Sequence, residues 1–248
     1  MLRCIDGLKG YKIKATDGVM GKVEDILVED ENWHIRYIVV QTGSWLNRRK
    51  VLIIPQCIGE PQWMSQTLPV NLTMEEVRSS PPYSHHEPIS RVYERMLHSH
   101  YVWTPYFSAG VPGPSAVTVA PMPNQNDELQ KKAAEDLDNN HLRSITELQG
   151  YRIEAEDGEI GSFADFIMDD EIWLLRYIVV DTGNWFSGKK VLIAMPWLSG
   201  VEWATQKAFV DLKKKVIEEA PEFNPAAPIN RKEEVMLYDF YGRPRYWD

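Results

Sequence analysis

From residue 11 onward, apolar and polar side chains alternate. Tyr11, Ile13 and Ala15 fall on one side of the chain, and Lys12, Lys14 and Thr16 on the other. That is the period of a strand with one buried face. Asp17-Gly18 then predicts a tight hairpin, since glycine tolerates the positive φ such a turn requires. A second strand is expected over residues 21–29, with Gly21 marking a bulge. A polar turn at Asp30-Glu31-Asn32 feeds a third strand over residues 33–41. Its Ile38-Val39-Val40 run has no polar position, which predicts a strand covered on both faces. Further strands are expected over residues 50–54 and 66–70. The period then changes. Thr73-Met74-Glu75-Glu76 has the form of a capping box, and a second helix is expected over residues 91–101 behind Ser90. Five short strands at this spacing predict a small closed barrel followed by helices.

The whole pattern occurs twice. Gly10-Tyr11-Lys12-Ile13 returns as Gly150-Tyr151-Arg152-Ile153, and Arg36-Tyr37-Ile38-Val39-Val40 as Arg176-Tyr177-Ile178-Val179-Val180. The offset is 140 without a gap, and 40 of the 106 positions from Leu2/Leu142 to Phe107/Trp247 are identical. A duplication of this kind divides the chain into residues 1–107, a connecting segment 108–141 and residues 142–248. Gly110-Val111-Pro112-Gly113-Pro114 and Pro121-Met122-Pro123 show no apolar period, so the connection reads as a flexible linker. The fold class expected is mainly β with short helices: two small barrels, each with a C-terminal helical arm.

The hairpin Asp17-Gly18-x-x-Gly21-x-Val23-x-Asp25, with Arg36-Tyr37-Ile38-Val39-Val40 and Lys50-Val51-Leu52-Ile53, resembles the PRC-barrel domain. The likeness covers residues of about 5–70 and 145–210. With the Trp33 and Trp45 pattern, it resembles the tandem, soluble, photosynthetic reaction centre H-subunit-like branch. The resemblance implies an adaptor with no shared catalytic residues. It also suggests two alternatives: an accessory protein modulating quinone-linked electron or proton transfer at a membrane complex, or a ribosome- or RNA-associated factor.

Charge narrows these readings. With 36 acidic against 27 basic side chains the net charge is −9, which disfavours nucleic acid as a partner. No run of 18 apolar residues exists, so no membrane-spanning helix is expected, while peripheral membrane association stays open. The opening residues lack a signal-peptide core, and the expected location is cytoplasmic. Cys4 and Cys57 alone exclude a disulfide framework or a Cys₄ zinc site.

Candidate chemistry is sparse. Glu29-Asp30-Glu31 and Asp169-Asp170-Glu171 offer oxygen ligands, but neither has an EF-hand pattern and both read as solvated turns. His85, His86, His98 and His100 lack histidine counterparts in the second copy, so no metal common to both copies is expected. No nucleotide-binding loop or nucleophile motif occurs, and neither catalysis nor a cofactor is expected. Asp25 with Arg36, and Asp165 with Arg176, lie on strands expected to be adjacent and are expected to form structural ion pairs. The arms end in aromatics, and Trp103, Tyr106, Tyr238, Phe240, Tyr241, Tyr246 and Trp247 are the candidate interaction residues. In the second arm, Val235, Met236, Tyr238 and Phe240 form a stripe expected to be buried against the other copy or a second chain. The function expected is a protein-interaction module with an unidentified protein partner, a homodimer being one form it can take.

Overall fold

A computed structural model describes residues 1–43, 49–84, 89–103, 141–183, 188–225 and 229–248. The protein is mainly β, with two sheets and short helices. Its strands are β1 (Leu2–Cys4), β2 (Lys12–Ala15), β3 (Gly18–Glu29), β4 (Ile35–Thr42), β5 (Arg49–Ile53), β6 (Thr67–Pro69) and β7 (Leu142–Ser144), then β8 (Arg152–Ala155), β9 (Gly158–Asp169), β10 (Leu174–Asp181), β11 (Lys190–Ala194), β12 (Leu198–Glu202) and β13 (Lys207–Val210). Among the described residues the α-helices are α1 (Met74–Ser79), α2 (Arg91–Tyr101), α3 (Ile145–Leu148), α4 (Lys214–Glu219) and α5 (Arg231–Tyr241). The expected linker, 108–141, lies outside the described residues except at its last position.

The strands follow the alternation. One sheet has the order β5-β4-β3-β2-β6 and the other β11-β10-β9-β8-β13-β12, with β6 and β13 parallel to β2 and β8. Gly21 is the residue skipped where the β2–β3 register shifts between Lys12 and Ile13, so the expected bulge is present. The Ile38-Val39-Val40 and Ile178-Val179-Val180 runs are all at most 1% exposed, as a strand covered on both faces requires. The hairpin aspartates also reach the helices: Asp17 accepts the Met74 amide at 2.8 Å and Asp157 the Lys214 amide at 2.8 Å. Each carboxylate thereby satisfies an orphan N–H at the start of α1 or α4. Thr73 and Glu76 form the expected capping box, while Lys213 offers no side-chain cap to α4.

Alternation did not mark the first strand of each repeat. Three residues carry too little period to register, and both pair outside their own repeat. β1 lies antiparallel to β9, with Leu2 opposite Asp169 and Cys4 opposite Ile167. β7 lies against β3. The chain accordingly resolves into two compact units that cut across the repeats. One comprises Met1–Tyr11, Val23–Ile38 and Arg143–Asp248; the other comprises Lys12–Lys22 and Val39–Leu142.

Within the first unit the two polar turns also interlock. Ile35 donates to the Trp173 carbonyl at 2.8 Å, and Leu175 to the Trp33 carbonyl at 3.0 Å. Trp33 and Trp173 both adopt left-handed backbone, at φ 62° and 54°. That conformation costs an ordinary L-residue about 1–2 kcal/mol, and here the reciprocal hydrogen bonds hold it.

In the second unit, α1 ends on a side chain from β5. The Arg49 guanidinium donates to the carbonyls of Arg78, at 2.7 Å, and Ser80. In the first unit, Lys189 serves α4 the same way through Ala220, at 2.8 Å, and Glu218. Cations at these positions satisfy the free carbonyls of a helix C-terminus.

Candidate interaction surface

The clearest concentration of unusual chemistry lies in the first unit, around α5. Asn230 caps this helix with a full capping box to Glu233, and Gly242 closes it at φ 62°. Its buried positions are Glu234, Leu237, Tyr238 and Tyr241, spaced i, i+3, i+4, i+7. The expected stripe is therefore displaced. Met236 and Phe240 stay 56% and 39% exposed, and the helix packs on its own repeat, where Tyr238 meets Tyr177 and Trp197 edge-on. The expected burial of Met236 and Phe240 against the other copy does not occur; the face that carries Glu234 is the buried one.

Glu234 is 3% exposed, and a buried carboxylate must be paired and hydrogen-bonded. Its Oε1 accepts from the Tyr177 hydroxyl at 2.6 Å and the Tyr246 hydroxyl at 2.7 Å, and its Oε2 meets Arg231 at 2.9 Å. Burial, with this carboxylate next, pushes the Tyr177 phenol far above its ordinary range. Arg231 in turn lies 4.2 Å from the Trp247 ring centre, and Arg176 lies 4.1 Å from that of Tyr246. The arm therefore closes over α5 as a layer of alternating guanidinium and aromatic groups.

The expected ion pairs are rearranged. Arg36 pairs with Glu29 and Arg176 with Asp169, at 3.3 Å, rather than with Asp25 and Asp165. The reason lies in the register. β9 and β10 are adjacent, but Asp165 stands opposite Val179, and Arg176 is the residue skipped where the register shifts between Leu175 and Tyr177. Asp25 instead accepts from Ser144 Oγ at 2.5 Å, Thr146 Oγ1 at 2.9 Å, and the Ile26 and Thr146 amides at 2.8 and 3.1 Å. The acidic turns are also engaged: Asp30 pairs with Arg143 and Asp170 with Arg3, each at 2.9 Å. His98 is 3% exposed, His100 Nε2 lies 3.1 Å from the Glu76 carbonyl, and His85 and His86 lie outside the described residues.

Two depressions flank α5. A cleft of about 310 Å³ is lined by Trp33, Arg176, Pro196, Tyr238 and Tyr246 among others, so its wall combines a repeat-one turn with the repeat-two arm. On the other side, a mainly apolar groove of about 190 Å³ is lined by Leu192, Pro221, Phe223, Ile229, Met236 and Leu237 together with Glu233 and Glu234. Comparison with protein-family models returns no match, and comparison with the curated proteins returns none. Among the described residues, no helix is long and apolar enough to cross a membrane.

Of the expected interaction residues, this surface gathers Tyr238, Phe240, Tyr241, Tyr246 and Trp247. The first and third are buried in its base, the others partly or well exposed. Trp103 belongs to the other unit, stacked on Tyr101 at 4.0 Å, and Tyr106 lies outside the described residues. Sequence reasoning missed Glu234, Arg231 and Tyr177. One signal was available: Arg-x-x-Glu occurs in both arms, as Arg91/Glu94 and Arg231/Glu234. In the other unit Glu94 is likewise 1% exposed and paired to Arg91 at 2.8 Å.

Proposed function

We propose that this chain is a non-enzymatic, cytoplasmic adaptor: two PRC-type barrels, at residues 1–107 and 142–248, joined by a linker at 108–141. In this reading the chain recruits a protein partner through the outer face of α5. The supporting observation is the way that helix is mounted. Four buried side chains and an Arg–Glu–Tyr network fix it, yet it turns Met236 and Phe240 to solvent beside an apolar groove. A pair of large apolar groups on a rigid element is what a hot spot needs, because little ordering entropy is lost on binding.

The test is a quantitative pull-down from native extract with the full chain as bait. Met236→Asp/Phe240→Asp should lower recovery of the specific partner at least tenfold. It should leave the melting temperature nearly unchanged, since exposed substitutions cost roughly 0.5 kcal/mol or less. An identical partner set from both baits at equal stability would remove this face from the mechanism.

A further inference from the structure

The internal duplication supplies a counterpart for the apolar groove beside α5. In the first unit this groove runs between residues 221–224 and α5, over Leu192, Ile229 and Leu237. The side chain placed to cross it from the helix is Glu233, which turns back instead: its Oε2 accepts the Asn230 amide at 2.8 Å. Among the described residues nothing donates to the Pro221 carbonyl. The offset of 140 puts Tyr93 at the position of Glu233, Pro81 at that of Pro221 and Tyr83 at that of Phe223. In the second unit Tyr93 makes the crossing. Its ring is half-buried, and its hydroxyl donates to the Pro81 carbonyl at 3.1 Å. The start of α2 is then capped by Ser90, whose hydroxyl accepts the Tyr93 amide at 3.2 Å. One repeat uses this helical position to close its groove; the other uses it to cap the helix and leaves the groove open.

We propose that the open groove takes from a partner what Tyr93 supplies within the chain: a tyrosine side chain, presented between basic residues of the partner protein. This rests on the reading of the α5 face as the docking surface and names the chemistry that docks there. Three observations define the occupant. The groove is mainly apolar, and its volume of about 190 Å³ suits one aromatic side chain rather than a whole helix. The Pro221 carbonyl stands where Pro81 receives a phenol, so a hydroxyl on the ring gains a hydrogen bond that phenylalanine lacks. The ionisable groups of the lining are Glu222, Glu233 and Glu234, all carboxylates, and the first two are exposed, so flanking positive charge is favoured. Met236, in the same lining, adds a thioether that adapts to an aromatic edge. Tyrosine also loses little conformational entropy on binding, which is why it recurs at interface hot spots.

Methyl-resolved NMR on the full chain tests this with acetyl-Lys-Tyr-Lys-amide as the probe. The Met236 and Leu192 methyl signals should move saturably. Acetyl-Lys-Phe-Lys-amide should bind about fivefold more weakly, for want of one neutral hydrogen bond. Acetyl-Glu-Tyr-Glu-amide should also bind more weakly, by a margin that shrinks as salt is added. Glu233→Tyr, which gives this groove the tyrosine of the other repeat, should weaken the probe about tenfold while keeping a cooperative melt. The peptide comparison uses the wild-type chain, so it decides the matter whether or not that variant folds. Absence of saturable shifts at Met236 and Leu192, or equal affinity for the tyrosine and phenylalanine peptides, would overturn the proposal, as would undiminished binding by folded Glu233→Tyr. The pull-down separates the two readings. If Met236→Asp/Phe240→Asp loses its partner while Glu233→Tyr keeps it, the α5 face stands and the tyrosine occupant falls; if both variants keep it, both fall.

Discussion

Val179→Asp is expected to unfold the first unit. Val179 is 1% exposed, at the centre of β10, with Leu192 on one side of the ladder and Asp165 on the other. A carboxylate here would be buried without a cation, and it would stand directly across from an existing acid. The cost is several kcal/mol, against a total stability of about 5–15 kcal/mol for a domain of ordinary size. Circular dichroism and thermal melting decide it. Loss of the cooperative transition is the expected result, and a soluble variant melting like the parent would contradict the assignment of this strand to the core.

Gly161→Ala should have an effect of similar size for a backbone reason. Gly161 sits at φ +143°, and a Cβ built there would lie 2.1 Å from the Asp181 carbonyl oxygen. No side-chain adjustment relieves a backbone clash, so β9 and β10 would have to separate where Ser162 faces Asp181. Strain of this kind, added to lost ladder hydrogen bonds, costs about 3–5 kcal/mol. Gly21 has the same relation to the Gln41 carbonyl, also 2.1 Å from an added Cβ, and should respond alike. Gly200 supplies the contrast, since nothing lies within 4 Å of its added Cβ. Urea melts should therefore separate Gly161→Ala from Gly200→Ala by several kcal/mol; equal midpoints would show that the ladder yields where the structure holds it rigid.

What was legible in the sequence was periodic. β2 to β5, the Gly21 bulge and the Thr73 capping box all appear where alternation, turn residues and a capping pattern put them. What was hidden depended on partners far away in the chain. β1 is three residues long and acquires its meaning only from β9, more than 160 positions later. The Arg176 pairing depended on a bulge that moves one residue out of register, which no alternation pattern reports. Glu234 was hidden by its own charge. Polarity places a glutamate in water, and only Tyr177, Tyr246 and Arg231 together make its burial tolerable. The candidate surface was half visible: its aromatics could be named, while the helix face that is free could not. Trp33 is a case of its own, because a bulky residue in left-handed backbone has no local sequence signature.

These hidden elements share a consequence. The cleft beside α5 takes Trp33 from one repeat and Arg176, Pro196, Tyr238 and Tyr246 from the other, and β1 and the interlocked turns hold the two contributions together. The surface is thus composite, and neither half of the sequence supplies it alone. Cutting the folded protein tests this most directly. A specific protease site placed after Gly113, within the segment expected to be a linker, allows cleavage without denaturant, followed by native mass spectrometry. The prediction is one species carrying both fragments in equal number, which separates only when the first unit is unfolded. Fragments that part on cleavage, each keeping its folded spectrum, would show that the strands are not exchanged and that the surface belongs to one repeat.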